Sequence, residues 1–174
     1  MRLGNVYSYS TAISAAERGA QWTLALELLF GMKNINPNKF SYSAAISSCG
    51  KAGEWQWAVY LYEMLRSEED SVVGVNATIS ALEKVGRWQQ ALGMFGNMSV
   101  PPDLITYNAI ISSCEKGTRW PLALHFFVEM TRNSMSPDVT SYGAVVSSCE
   151  KDSEWQLALH LLRDMKKPTA SRCP

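Results

Sequence analysis

The 174-residue chain has no excess of charge of either sign, no long apolar run and no closely spaced cysteines. Its 16 Lys and Arg balance 16 Asp and Glu, so overall charge makes no case for a polyanionic partner. No apolar stretch approaches the roughly 18 residues of a membrane-spanning helix, and no membrane partner is expected. Cys49, Cys114 and Cys149 stand one repeat or more apart, and the fourth cysteine, Cys173, lies near the end. Zinc sites and redox motifs need closer ligands, so Cys49, Cys114 and Cys149 read as small buried hydrophobes. The two histidines, His125 and His160, read as surface residues. There is no paired nucleophile and base, no glycine-rich phosphate loop and no carboxylate cluster. An enzyme is therefore not expected, nor a cofactor, a metal or a small-molecule substrate.

What the chain does have is self-similarity. The stretch from Pro102 to Met130 aligns without a gap on the stretch from Pro137 to Met165, and the same frame fits from Ser8, Ser41 and Gly74. Trp22, Trp55, Trp88, Trp120 and Trp155 mark one column of this fivefold alignment. A period of this size means stacked supersecondary units, a solenoid without one central core. Within a unit, apolar residues recur at helical spacing: Tyr107, Ile110, Ile111 and Cys114 in one half, then Trp120, Ala123, Leu124, Phe127 and Met130 in the other. Gly53 and Gly86 fall between the halves, where a residue with positive φ ends a helix. Pro37, Pro102 and Pro137 precede the first half in three units and stop the previous helix. The expected fold is an all-α solenoid of antiparallel helix pairs.

Small residues recur too. Thr11, Ala44, Ala77, Ala109 and Ala144 lie two after the Tyr column (Tyr9, Tyr42, Val75, Tyr107, Tyr142), and Ser14, Ser47, Ser80, Ser112 and Ser147 lie five after it. They let the first helices of successive units lie side by side. Ala25, Ala58, Ala91, Ala123 and Ala158 let each second helix nest against its partner. One column is strictly basic: Arg18, Lys51, Lys84, Lys116 and Lys151. A cation near a helix C-terminus is favoured by about 0.3–1 kcal/mol, and a row of cations also suits a phosphate backbone; charge alone leaves both explanations open. The opening MRLGNVYSYS shows neither a secretory signal nor an Arg/Ser-rich leader, and the outer units lack polar caps. The chain is expected to be a piece of a longer array.

The motif P-D-x-x-S/T-Y-N before the helix pair, Lys at the end of helix one and A-L-x-L/F…M in helix two resemble the pentatricopeptide repeat over residues 6–167. The tetratricopeptide W-x-x-L-G-x-x-Y signature is absent. In the third unit Val75 replaces the Tyr, and LRSEEDSVVG fits the frame poorly. The resemblance implies a right-handed superhelix of units 6–38, 39–71, 72–103, 104–138 and an incomplete 139–167, with a disordered tail at 168–174. It also implies sequence-specific single-stranded RNA binding in mitochondria or chloroplasts, in transcript processing, stability, editing or translation, alongside other organellar RNA-processing proteins. In this class two or three side chains read one base per repeat.

Carried onto this chain, the base-selecting pairs implied are Ser10 with Asn38, Asn76 with Asp103, and Asn108 with Asp138. Ser43 is paired with Ser71 or Asp70, and Gly143 offers no side chain toward Cys173. The implied base clamps are Tyr7, Phe40, Val73, Ile105 and Thr140, and Lys51, Lys84, Lys116 and Lys151 are candidate phosphate contacts. The family's preferences imply A, unspecified, U, U, unspecified, with the first repeat toward the RNA 5′ end. Helix capping is the competing explanation for the polar residues, and a scaffold for protein segments is the competing class of function.

Overall fold

Each amphipathic half forms a helix. The computed structural model describes residues 6–32, 35–68 and 71–151, with 154, 156, 158–160 and 163. Among the described residues are nine helices and no strand. They are α1 (Val6–Arg18), α2 (Trp22–Phe30), α3 (Lys39–Ala52), α4 (Trp55–Glu68), α5 (Val72–Lys84), α6 (Trp88–Gly96), α7 (Leu104–Lys116), α8 (Trp120–Arg132) and α9 (Val139–Lys151). The partner of α9, the Trp155 column position and the tail with Cys173 fall wholly or partly outside the described residues.

The odd-numbered helices pack on one another in order, α1 on α3, α3 on α5, α5 on α7 and α7 on α9. Each even-numbered helix packs on its own partner and on the next odd-numbered one. The result is a two-layer solenoid with a continuous inner layer of first helices. Its core follows the predicted stripe: Ile13, Ile46, Ile79, Ile110, Ile111, Cys49, Cys114, Cys149 and Tyr107 are fully buried. Ala25, Ala58, Ala91 and Ala123 are completely enclosed, as close nesting of the second helices requires. Burial pushes the Cys49 and Cys114 thiols up to about 11, which keeps them protonated and inert at neutral pH.

One turn is used in every unit. The backbone N–H groups of Gln21, Glu54, Arg87, Arg119 and Glu154 each donate at 2.9 Å to the carbonyl five residues earlier, on Ala16, Cys49, Leu82, Cys114 and Cys149. This six-to-one bond needs a left-handed residue just inside it. Gly53 and Gly86 supply it at φ 82° and 70°, as expected, but Ala20 and Thr118 also adopt it, at φ 53° and 51°. The turn ties α1 to α2, α3 to α4, α5 to α6 and α7 to α8 by the same bond. Trp55 and Trp88, which open α4 and α6, then lie against the next unit. The Arg87 guanidinium stacks 5.0 Å from the Trp55 ring, and Arg119 stacks 5.1 Å from Trp88.

Candidate functional site

The inner layer exposes apolar side chains in a single column. Tyr7 is 76% exposed, Phe40 66%, Val73 60% and Ile105 62%, and Thr140 is also exposed. All five belong to the first turn of a first helix, one per unit. Two open clefts lie on this face. One, of about 520 Å³, is lined by Tyr7, Ser10, Thr11, Ser14, Ala15 and Arg18. The other, of about 490 Å³, is lined in the third unit by the equivalent Val73, Asn76, Ala77, Ser80, Ala81 and Lys84. An exposed apolar residue, a polar residue, small residues and a basic terminus thus share one face at one-repeat intervals.

The polar residues beside this apolar column are joined across units. Asn76 Nδ2 donates to the Asp103 carboxylate at 3.1 and 3.3 Å, and Asn108 Nδ2 donates to both Asp138 oxygens at 3.2 Å. A third residue closes each link. The Thr106 hydroxyl lies 2.7 Å from Asn76 Oδ1 and 2.8 Å from Asp103 Oδ1, and its one proton serves both. The Ser141 hydroxyl does the same between Asn108 and Asp138. In the first unit Ser10 reaches Asn38 only through Ser41, at 2.9 and 3.0 Å. Asn38, Asp103 and Asp138 also take the backbone N–H of Ser41, Thr106 and Ser141. Capping and pairing are therefore two uses of the same side chains, and Asp103 with Thr106 forms a full capping box.

The electrostatics fix the amide orientation. Burial acts to raise the Asp103 carboxyl, but the Thr106 N–H and hydroxyl, the Asn76 amide and the Ile105 N–H outweigh it and hold it below its ordinary value. For Asp138 the Ser141 N–H is the strongest influence and lowers it, against a smaller burial effect, with the Ser141 hydroxyl and Asn108 adding to the lowering. Both are carboxylates at neutral pH and can only accept hydrogen bonds. Each Asn must turn its NH2 toward the acid, and one of its two N–H groups suffices for that contact.

Among the described residues the second and fifth units show no such link. Ser43 has no hydrogen bond to Ser71 among the described residues, Asp70 is outside them, and Gly74 stands where Ser41, Thr106 and Ser141 stand elsewhere. Gly143 is exposed, and its implied partner Cys173 is not among the described residues.

The basic column, whose lysines are the candidate phosphate contacts, is engaged within the protein at three positions. Lys51 pairs with Glu17 at 3.0 Å, Lys116 with Glu83 at 2.9 Å and Lys151 with Glu115 at 2.8 Å, each Glu coming from the preceding first helix. Ser47, Ser112 and Ser147 donate to the same carboxylates at 2.8, 2.7 and 2.9 Å. The physical reason is a glutamate one residue before the basic column, which stacking brings against the next unit's lysine. Only Lys84 meets a glycine there, Gly50, and it has no ion pair among the described residues. Sequence reasoning missed both the Ser/Thr relay and this clasp. Their signal was present, as a hydroxyl residue before the Tyr column and a Glu before the Lys column.

Models of known families match much of this chain. The PPR repeat family model matches residues 102–151, and the PPR repeat model matches 40–69, 74–100 and 140–167. Comparison with curated proteins gives no match. Among solved structures, the pentatricopeptide repeat protein PPR10 in complex with an 18-nt psaJ RNA element superposes with a TM-score of 0.79 at 22% identity, covering 94% of this chain and 25% of that one. PPR10 from maize in another crystal structure superposes with a TM-score of 0.62 at 19% identity, covering 94% and 29%. The chain thus spans about a quarter of the length of the solved structures it matches.

Proposed function

Because the chain belongs to the PPR repeat family, we propose that it binds single-stranded RNA along the exposed face of its first helices, one base per repeat. The observation that carries this is the column Tyr7, Phe40, Val73 and Ile105. Each is a large apolar side chain left in water at one-repeat spacing, and three of the four adjoin a polar residue tied to the next unit. A base stacked on such a side chain gains about 1–3 kcal/mol without regard to sequence. The polar pair beside it supplies the choice. The other N–H of Asn76 or Asn108 can donate to a uracil carbonyl, and the carboxylate behind it can accept the uracil N3–H through a water. The smaller Ser10 leaves space for a purine. The bound segment is A, unspecified, U, U, unspecified. The role is to guide processing, stability, editing or translation of an organellar transcript, without catalysis by this chain.

Oligomers differing at one base test this. The parent should bind a strand with U at the fourth position more tightly than one with A, at micromolar affinity or weaker, given only three reading units. Asn108→Ser combined with Asp138→Asn should move that preference from U toward A. An unchanged preference in the double variant overturns the assignment of selectors. Failure of the parent to bind any single strand at low salt overturns RNA binding itself.

A further inference from the structure

The cleft beside Lys84 differs from its neighbours in the one respect that matters to an anion. In the other described junctions a glutamate of the preceding helix neutralises the lysine and takes the serine proton. At the junction of α3 and α5 that position is Gly50. A Cβ there would stand 2.7 Å from Ala81 Cβ, so the two helices touch where the carboxylate would sit. Close packing has replaced the clasp and leaves Lys84 and Ser80 lining an open cleft of about 490 Å³ with Asn76 and Val73. The cleft's acidic residue, Glu17, is engaged by Lys51 and Ser47 at 3.0 and 2.8 Å. Arg18 has no preceding unit within this chain to offer it a partner.

We infer that, between the first and last described units, the array grips an RNA backbone at one point, with a single phosphodiester held by Lys84 and Ser80, whereas Lys51, Lys116 and Lys151 act as clasps between repeats. This rests on the RNA reading above and deepens it. A lysine already held by a carboxylate displaces no condensed cation from the RNA phosphates, so it adds nothing to the salt dependence of binding. A free one does. Lys84 therefore sets the register of the strand, fixing which phosphate lies between the bases stacked on the second and third units.

The experiment is a salt titration of binding to a fluorescein-labelled single-stranded RNA containing A-x-U-U-x, with the full chain. Lys84→Ala should flatten the slope of log K against log salt by about 0.7 and weaken binding about eightfold near 50 mM salt, with no change of base preference. Lys116→Ala should leave the slope unchanged and lower the melting temperature. Glu83→Gln, which frees Lys116 without removing it, should steepen the slope by about the same 0.7. Equal flattening by Lys84→Ala and Lys116→Ala, or no effect of Lys84→Ala, overturns the single grip while RNA binding stands. Absence of binding by the parent chain overturns both.

Discussion

The Oγ atoms of Ser48 and Ser148 are buried in the inner layer with no hydrogen-bond partner. The same column holds Ala15 and Ala81 in other units, and in the fourth unit Ser113 returns its proton to the Ala109 carbonyl at 2.8 Å. A buried hydroxyl without a partner costs about 1–3 kcal/mol in desolvation, so the alanines are the better fit to this position. Ser48→Ala should therefore raise stability by about 1 kcal/mol, read as a higher melting temperature by circular dichroism. A lower melting temperature would mean the hydroxyl has a partner. Ser41, Thr106 and Ser141 are the opposite case. Each is buried and fully used, because its one proton lies between two acceptors of the unit before it.

At the scale of the element, the turn between paired helices decides more than its residues suggest. Gly53 and Gly86 could be read as left-handed from the sequence, since glycine alone enters that region freely. Ala20 and Thr118 could not, because nothing in their side chains favours it and the six-to-one bond of the shared turn imposes it. A left-handed non-glycine residue costs roughly 1 kcal/mol. Thr118→Gly should thus stabilise the chain by about 0.5–1 kcal/mol, and Gly53→Ala should destabilise it by a similar amount or more. Paired denaturant melts would check both, and the same sign for the two would contradict the shared turn. The helices and their buried stripe were legible because spacing within one helix is a local property. The Asn–Thr–Asp relay and the Glu–Lys clasp were not, because they join residues 27 to 36 positions apart and depend on how one unit sits on the next.

The whole molecule is a row in which every unit leans on its neighbours, and no unit encloses its own stripe. Ile111, fully buried, lies in α7, which packs against α5, α6, α8 and α9. Ile111→Asp places an unpaired charge there at a cost of several kcal/mol, and the units on both sides should lose helix with it. Far-ultraviolet circular dichroism, combined with limited proteolysis to map the unfolded stretch, is the measurement. Loss confined to α7, or no loss, would contradict a stacked row. The second junction should behave differently from the others, because it is joined by contact at Gly50 and Gly74 and lacks the relay and the clasp.

The dual use of Asn38, Asp103 and Asp138 has a consequence for what such an array can encode. Each stands at the entrance to a helix and holds the first backbone N–H groups. On the proposed reading the same side chain helps choose the base of the unit it closes. The residues that fill a helix entrance well are few: Ser, Thr, Asp and Asn. The vocabulary open to a new target is therefore limited by folding before any nucleotide is met. Mutational drift through other residue types passes through chains with a weakened repeat. Retargeting should accordingly proceed by exchange among those four, with the unit that follows bearing the cost of any other choice.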